Sequence, residues 1–309
     1  MKLKHIQISR LYDYYQINTD IDPKLNIFVG NNGSYKTTML RTIYDGISNE
    51  PTMPNFKFQS FKLDFDNDAH VEYFKSYQAF KSNNIFDNNT SSIPAENLIE
   101  ILNAKALAGN EIADVKETVA KVKADSVFTY DVKGDNKSKD SSYLTYILES
   151  RLTDYGAYLA DLSESIAVGL QAGDANSFKE VFATREKFKE IINNAFSETG
   201  KLISNVSKML FVKKDDDKET EINWRDLSSG EKQLIIILLT VLLQRGEESI
   251  LIMDEPEISM HIIWQSQLLD WIYQLNPNVQ VIMSTHSPSI FGQGWANKII
   301  YMEDILKKE

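Results

Sequence analysis

Residues 30 to 38 read Gly30-Asn31-Asn32-Gly33-Ser34-Tyr35-Lys36-Thr37-Thr38. They follow the apolar segment 25–29 and precede a segment of helical pattern, 38–47, so a strand, a glycine-bearing loop and a helix come in succession. A loop of this kind presents backbone N–H groups and a helix N-terminus to an anion. Its lysine adds a positive charge, and its threonine adds a hydroxyl that can reach magnesium. The stretch therefore predicts a phosphate-binding loop.

The C-terminal third of the chain supplies two carboxylates of the kind that such a loop requires. The apolar run 250–253 ends in Asp254 and Glu255, so both lie at the end of a predicted buried strand. One carboxylate suits a magnesium ion, and the other suits a water molecule that attacks phosphorus. Before this strand stands a stretch that phosphate loops in general do not need: Leu227-Ser228-Ser229-Gly230-Glu231-Lys232-Gln233.

These motifs resemble, in kind and in order, those of the ATP-binding-cassette ATPases, in which two copies close face to face on ATP. The chain looks most like the soluble head domains related to chromosome-maintenance and double-strand-break-repair proteins. A fourth motif contains the expected switch histidine: Ser284-Thr285-His286-Ser287-Pro288. The resemblance covers residues 1–60 and 220–305 and does not cover the middle of the chain.

Within that class, one segment resembles the ATPases of bacterial anti-phage systems. It reads Asp254-Glu255-Pro256-Glu257-Ile258-Ser259-Met260-His261, followed by Trp264-Gln265. The relatives in question are the Septu-type and retron-associated ATPases and those paired with TOPRIM-type nucleases. This resemblance implies a role in defence beside a separate effector.

The resemblance also implies ATP and Mg²⁺ as cofactors and a role for each motif. The residues expected to bind nucleotide are Gly30, Asn31, Asn32, Gly33, Ser34, Tyr35, Lys36, Thr37 and Thr38. Thr37 and Asp254 are expected to hold magnesium. Glu255 is expected to act as general base or to position the attacking water, and His286 to sense the γ-phosphate. The signature residues expected to contact ATP bound by a second copy are Ser228, Ser229, Gly230 and Glu231.

Three positions depart from the family pattern. Tyr35 stands before Lys36 where glycine is usual, because glycine lets the backbone approach the phosphates. A tyrosine is tolerated there if its side chain points away from the nucleotide; otherwise it weakens binding and slows turnover. Ser229 replaces a signature glycine. His261 stands where the family often has an aspartate of the subunit-contact loop, or it is merely a helix N-terminal residue.

The other candidate contacts lie in the N-terminal third. A glutamine ligand for magnesium is expected after the first lobe, where Gln59 and Gln78 both fall, and Gln59 is preferred. Three tyrosines offer a ring to adenine or pack in the core, and packing is the preferred interpretation: Tyr12, Tyr14 and Tyr15.

Composition and charge restrict the class of protein. Of the 309 residues, 42% are apolar and 25% charged, as in an ordinary globular protein. The formal net charge of −11 argues against a protein that coats nucleic acid, although a local contact stays open. The chain has no cysteine and therefore no disulfide or thiolate metal site. No signal peptide is evident, and the longest apolar run, 234–243, is shorter than the roughly 20 residues that span a bilayer. We therefore expect a cytoplasmic protein without a membrane segment.

The expected fold class is α/β, an ATP-binding-cassette head with a mixed central sheet, an N-terminal antiparallel sheet and a helical insertion. Residues 1–80 form the N-terminal ATPase lobe with the phosphate loop, and residues 81–205 form a mainly helical insert. Residues 206–309 form the C-terminal lobe with the signature, the carboxylate pair and the switch histidine.

The insert carries two helical patterns. Apolar residues between Leu98 and Val122 follow one helix face. A clearer stripe packs on the rest of the helical lobe or forms a partner-binding face, and packing is the preferred interpretation: Phe178, Val181, Phe182, Arg185, Phe188, Ile192 and Phe196.

The function expected from these motifs is an ATP-binding, ATP-hydrolysing switch. ATP would bridge two copies of the chain in a dimer or higher oligomer, and hydrolysis would release them and control a separate nuclease or toxin. The alternatives are a scaffold or sensor with slow or no turnover and a chromosome-maintenance-like ATPase. An intrinsic nuclease has no support, because no acidic cluster with a metal-ligand spacing stands outside the ATP motifs. A TOPRIM domain of on the order of 100 residues would also not fit after His286.

Overall fold

The computed structural model describes residues 1–48, 58–79, 98–108, 111–128, 143–171, 179–215, 218–292 and 294–309. The strands are β1 (Leu3–Leu11), β2 (Tyr15–Asp20), β3 (Leu25–Val29), β4 (Ser60–Phe65), β5 (Ala69–Ala79), β6 (Leu98–Ala108), β7 (Glu111–Ala113), β8 (Ala124–Phe128), β9 (Lys201–Asn205), β10 (Leu210–Asp215), β11 (Lys218–Ile222), β12 (Ser249–Asp254), β13 (Val279–Ser284), β14 (Ile299–Tyr301) and β15 (Leu306–Lys308). The α-helices are α1 (Lys36–Ile47), α2 (Val115–Val119), α3 (Tyr143–Gln171), α4 (Lys179–Phe196), α5 (Ser229–Leu243), α6 (Ile262–Leu275), α7 (Pro288–Phe291) and α8 (Met302–Ile305).

The chain divides into two compact units. The first comprises Met1–Pro23, Gly30–Ala124 and Ile300–Glu309, and the second comprises Lys24–Val29 and Asp125–Ile299. The chain therefore enters the second unit for the single strand β3 and returns to the first at the phosphate loop. The division at residues 80 and 205 that the sequence suggests stays a prediction.

The first unit contains a seven-stranded sheet in the order β15-β2-β1-β4-β5-β6-β7. All of its pairings are antiparallel, as the sequence predicts for the N-terminal sheet. Alternation explains its core face, because Ile6 and Ile8 of β1 are fully buried whereas Gln7 between them is exposed.

The helix face predicted between Leu98 and Val122 is wrong. Strand β6 occupies 98–108 and pairs with β5 from Ala79↔Leu98 to Ala69↔Ala108, and only Val115–Val119 is helical. Apolar residues spaced by four positions fall on one face of a strand as well as on one face of a helix. Strand β5 pairs with β6 along the whole length of β6, and this long antiparallel pairing decides between the two.

Strands β3, β13 and β12 lie in the second unit and pair in that order within a five-stranded sheet, β14-β3-β13-β12-β8. The pairings β3–β13 and β13–β12 are parallel, and every residue of β12 and β13 is buried. Helix α5 is buried from Gly230 to Leu242, which explains its continuous apolar run. No helix in the part of the chain that the structure describes is long and apolar enough to cross a membrane.

The middle of the chain contributes α3 and α4 to the second unit, together with the antiparallel sheet β11-β10-β9. In the predicted stripe, Phe188, Ile192 and Phe196 are fully buried in the same apolar cluster as α5, as packing requires. Phe182 differs, because 46% of it is exposed. Phe178 and the side chain of Val181 lie outside the described residues.

Candidate nucleotide-binding site

The phosphate loop runs from the end of β3 to the start of α1. Lys36 is the first residue of α1 and is 6% exposed, because its Nζ donates to the carbonyl oxygens of Gly30 (2.8 Å) and Asn31 (3.2 Å). The ammonium group thus lies against the loop that it is expected to serve. Gly33 has φ +81°, a conformation that glycine adopts without strain.

Gly30 packs closely against the side chains of Ser34 and Met302. A Cβ at this position would lie 2.8 Å from Ser34 Oγ and 3.0 Å from the Cβ of Met302. Both distances are shorter than ordinary van der Waals contacts. A larger residue would therefore require the Ser34 hydroxyl to rotate and Met302 of α8 to shift by a few tenths of an ångström.

Tyr35 occupies the loop position where the family usually has glycine. Its backbone is left-handed, with φ 65° and ψ 19°, and it is the N-cap of α1 without a side-chain capping bond. Left-handed backbone costs a non-glycine residue roughly 1–2 kcal/mol, which gives a second reason for the usual glycine. The Tyr35 ring lies 5.0 Å from the ring of Tyr12 and 5.3 Å from that of Tyr15. These contacts hold the Tyr35 ring beside Tyr12 and Tyr15. Tyr14 differs from these two tyrosines, because 68% of it is exposed and it does not pack in the core.

Asp254 and Glu255 lie where β12 ends. Asp254 is 2% exposed, and its Oδ1 accepts a hydrogen bond from Ser284 Oγ at the end of the parallel neighbour β13. The Glu255 N–H donates to the carbonyl oxygen of Ser284 (3.0 Å), and Glu255 has φ 48°. Ligands bind beyond the carboxyl ends of parallel strands, so both carboxylates stand at the edge where such sites form.

The structure brings Glu255 and His286 together, two of the predicted catalytic residues. His286 Nε2 lies 3.4 Å from Glu255 Oε1, and their side chains are 40% and 24% exposed. Each residue follows the end of one of two paired parallel strands. The imidazole and the carboxylate can therefore face the same reacting group.

Glu257 organises the switch histidine, a role that sequence reasoning missed. Its Oε1 accepts hydrogen bonds from Thr285 Oγ1 (2.7 Å) and from the backbone N–H of His286 (2.8 Å). The loop after β12 is thereby joined to the loop after β13. Glu257 belongs to the Asp254–His261 motif, but the spacing of that motif does not predict that Thr285 and His286, 28 and 29 positions away, are its partners.

Gln265 makes a second connection between the same two loops. Its Oε1 accepts from Ser287 Oγ (2.5 Å), and its Nε2 donates to the carbonyl oxygen of Met260 (3.0 Å). Together with Glu257 it ties the residues after β12 to those around the switch histidine.

The signature forms the N-terminus of α5 and is held by a capping box. Ser228 Oγ accepts from the Glu231 N–H (3.3 Å), and Glu231 Oε2 accepts from the Ser228 N–H (2.7 Å). Glu231 is 2% exposed and also pairs with Lys201 Nζ at 2.9 Å. Burial alone would raise the pKa of Glu231, but the hydrogen bonds from Lys201 and Ser228 outweigh it and hold the pKa below its ordinary value. The Glu231 carboxylate therefore orients the helix from inside the unit, whereas Ser228 and Ser229 are exposed.

The signature helix packs closely on the loop after β12. A Cβ at Gly230 would lie 2.2 Å from the carbonyl oxygen of Ser259, which explains why this position is glycine. Ser259 itself has φ 65°. His261 is exposed and is the N-cap of α6 without a side-chain capping bond.

The candidate magnesium-ligand glutamines differ in what the structure shows. Gln59 is exposed just before β4; its N–H donates to Ser9 O and its carbonyl oxygen accepts from the Lys75 N–H, both at 2.9 Å. The side chain of Gln78 lies outside the described residues. The role of Gln59 stays a prediction.

Comparison with known proteins agrees with these motifs. The model of the family described as "AAA domain, putative AbiEii toxin, Type IV TA system" matches residues 25–292. The chain belongs to this family. It is thus an ATPase-family chain, and its resemblance to the ATPases of anti-phage systems is confirmed by two relatives.

The "Septu protein PtuA" of Bacillus thuringiensis is 24% identical to the chain over 330 aligned positions, which cover 96% of this chain and 75% of PtuA. The "Retron Vc95 probable ATPase" of Vibrio cholerae serotype O1 biovar El Tor is 22% identical, with 91% of this chain and 70% of that protein covered.

A solved structure confirms the predicted fold class. An Smc head, bound there to the C-winged helix domain of ScpA, aligns with 100% of this chain and 97% of its own length at a TM-score of 0.54 and 15% identity. The similarity establishes an α/β fold like that of the chromosome-maintenance ATPase heads.

Proposed function

We propose that this chain is an ATP-hydrolysing switch that assembles as an ATP-bridged dimer and controls a separate effector in anti-phage defence. The observation that supports it most is the pairing of Glu255 with His286, with Glu257 bonded to the switch loop. A chain that only bound nucleotide would need none of these three groups in this arrangement.

The residues fit Mg-ATP. The phosphate loop supplies a positive charge at Lys36 and leads into the N-terminus of α1, and helix N-termini favour anions. Thr37 and Asp254 would hold the magnesium ion, which neutralises phosphate charge when bound. Glu255 would accept a proton from the attacking water, and the His286 imidazole would contact the γ-phosphate. Gln59 is retained as a further candidate ligand.

Dimerisation is proposed from the signature. Ser228 and Ser229 are exposed, although the rest of α5 after them is buried. The capping box leaves other N–H groups of the first turn free to meet an anion. We propose that these amides contact the γ-phosphate of ATP held by the phosphate loop of a second copy.

The effector and the defence role are proposed from the relatives. PtuA and the retron ATPase align with nearly the whole chain, so the likeness includes the middle as well as the ATP motifs. The net charge of −11 disfavours free association with nucleic acid through bulk electrostatics. We propose that a nuclease or toxin is a separate protein and that the middle of the chain provides its docking surface.

The test replaces Glu255 by Gln, which keeps the side chain's shape and removes the base. Glu255→Gln should bind ATP, fail to hydrolyse it and double in mass on addition of ATP, as measured by light scattering coupled to size exclusion. Glu303→Gln, the same change at an exposed position, should behave like wild type. A Glu255→Gln chain that binds ATP and stays monomeric would contradict the dimer, unless wild type is already a stable oligomer without ATP.

A scaffold or sensor with little turnover is the second candidate, and the left-handed Tyr35 favours it. Strain in the phosphate loop would weaken nucleotide binding and make assembly, rather than turnover, the purpose of the site. ATPase rates of wild type and Tyr35→Gly distinguish the two candidates.

A further inference from the structure

A cavity of about 220 Å³ lies in the second unit, between β8, the first turns of α3 and the signature helix α5. We name it the α5 cavity. Its polar lining comprises Ser126, Tyr143, Ser150, Arg151 and Gln233. Apolar side chains, among them Val127, Leu144 and Ile236, form the remaining wall. An apolar cavity of roughly 150 Å³ takes up benzene, so this one has room for a benzene-sized body with a polar group.

The side-chain amide of Gln233 is the observation that indicates a ligand. Its side chain is 1% exposed, and its Nε2 has no hydrogen-bond acceptor among the residues that the structure describes. A buried polar group without a partner costs on the order of 1–3 kcal/mol, so such groups are rare unless something binds them. Because Gln233 lines the α5 cavity, an occupant can supply the missing acceptor.

The charge of the lining decides the chemistry of that occupant. Arg151 is a cation whose side chain is 25% exposed, and no carboxylate stands among the described lining residues. Its pairing with Asp154 is long, at 3.4 Å, and Asp154 is 50% exposed. A surface pair of this kind is worth roughly 0–1 kcal/mol, so Arg151, whose charge also acts on the buried carboxyl of Asp125, can exchange its contact with Asp154 for a better-placed anion.

We propose that the α5 cavity binds a small monocarboxylate with a compact apolar body. The carboxylate accepts hydrogen bonds from Gln233 Nε2 and the Arg151 guanidinium, and the body packs against the apolar wall. Such an occupant contacts both α3 and α5. On α5 its contact is Gln233, which lies four residues after Ser229 of the signature. None of the lining residues belongs to the phosphate loop or to the carboxylate pair, and the existence of the site does not depend on ATP hydrolysis.

The test uses the whole chain without nucleotide and benzoate as the probe. Ligand-observed NMR titration should detect benzoate binding in wild type, while benzamidine, which has the same shape and the opposite charge, should not bind. Gln233→Leu and Arg151→Gln should each weaken benzoate binding at least tenfold, or about 1.4 kcal/mol. Arg225→Gln, which changes an exposed arginine outside the cavity, should leave benzoate binding unchanged.

Three results would overturn the proposal: no benzoate binding to wild type at up to about 10 mM, equal binding of benzamidine, or benzoate binding retained in both cavity variants. Circular dichroism establishes that each variant is folded. If Gln233→Leu does not fold, Arg151→Gln decides alone, because its partly exposed side chain is replaceable without opening the core.

Discussion

The phosphate loop and the loops after β12 and β13 hold their shapes by different means. In the phosphate loop, the backbone conformation itself is unusual, because Gly33 and Tyr35 have positive φ. The Lys36 ammonium group donates to backbone carbonyl oxygens of the same loop. In the other two loops, here called the switch loops (254–261 and 284–288), side-chain carboxylates and amides make the connections. The first region therefore depends on which backbone conformations its residues permit. The second depends on individual polar atoms.

The largest expected effect lies in the phosphate loop, at its one charged side chain. Lys36→Ala should weaken ATP binding at least about a hundredfold, or roughly 2.7 kcal/mol, because it removes the charge that neutralises the phosphates. Titration of a fluorescent ATP analogue measures this. Lys4→Ala, at an exposed position of β1, is the matched control and should bind like wild type. An affinity within threefold of wild type for Lys36→Ala would remove the loop from the proposed site.

The switch loops should respond to the loss of the Glu257 carboxylate. Glu257→Ala leaves Thr285 Oγ1 and the His286 N–H without their acceptor. We expect the turnover number to fall about tenfold with little change in KM, a barrier increase of about 1.4 kcal/mol. Glu257→Gln retains an acceptor oxygen and should recover most of the activity. If the alanine and glutamine variants are equally impaired, the charge of Glu257 matters and its positioning of His286 does not explain the loss.

A side-chain change in the phosphate loop should matter less. Tyr35→Gly removes left-handed strain of roughly 1–2 kcal/mol and loses two ring contacts worth roughly 0.5–1.5 kcal/mol each. Because both terms act on the loop with and without nucleotide, ATP affinity should change less than tenfold, measured in the same titration as Lys36→Ala. Tyr14→Ala, at an exposed ring, provides the control. A gain in affinity above tenfold would show that the natural loop is impaired and would favour the scaffold.

The smallest expected effect is a pH-dependent change in thermal stability when Glu231 of the signature is replaced. Since the folded pKa of Glu231 lies below its ordinary value of 4.5, its contribution to stability is complete above pH 4.5 and is lost as pH falls through the folded pKa. The melting temperature of Glu231→Gln should therefore lie below that of wild type at pH 7, and the gap should narrow below pH 4.5. Glu219→Gln alters an exposed pair with Lys214 and should show no such gap. A gap that stays constant across this range would assign the stabilisation to shape rather than to charge.

Sequence patterns predicted most elements that lie near the site. The strands β3, β12 and β13 read as continuous apolar runs because both of their faces are buried, and the hairpin β4–β5 carries its turn residues at 66–68. The pattern failed between Leu98 and Ala108, where its spacing fits a helix and a strand equally well. There the pairing with β5 determined that the segment is a strand, and the sequence of the segment itself does not reveal that partner.

The sequence by itself determined the kinds of chemistry present: a lysine and a threonine after a glycine loop, two carboxylates after a buried strand, a signature and a histidine. These follow from residue types at short spacing. Only the tertiary structure decided that Glu257 holds His286, that Gly230 lies against Ser259, that Tyr35 is left-handed and packed on tyrosines, and that Gln233 faces a cavity. The reason is physical: each of these depends on contacts between segments distant in the chain, which arise only when strands and helices pack.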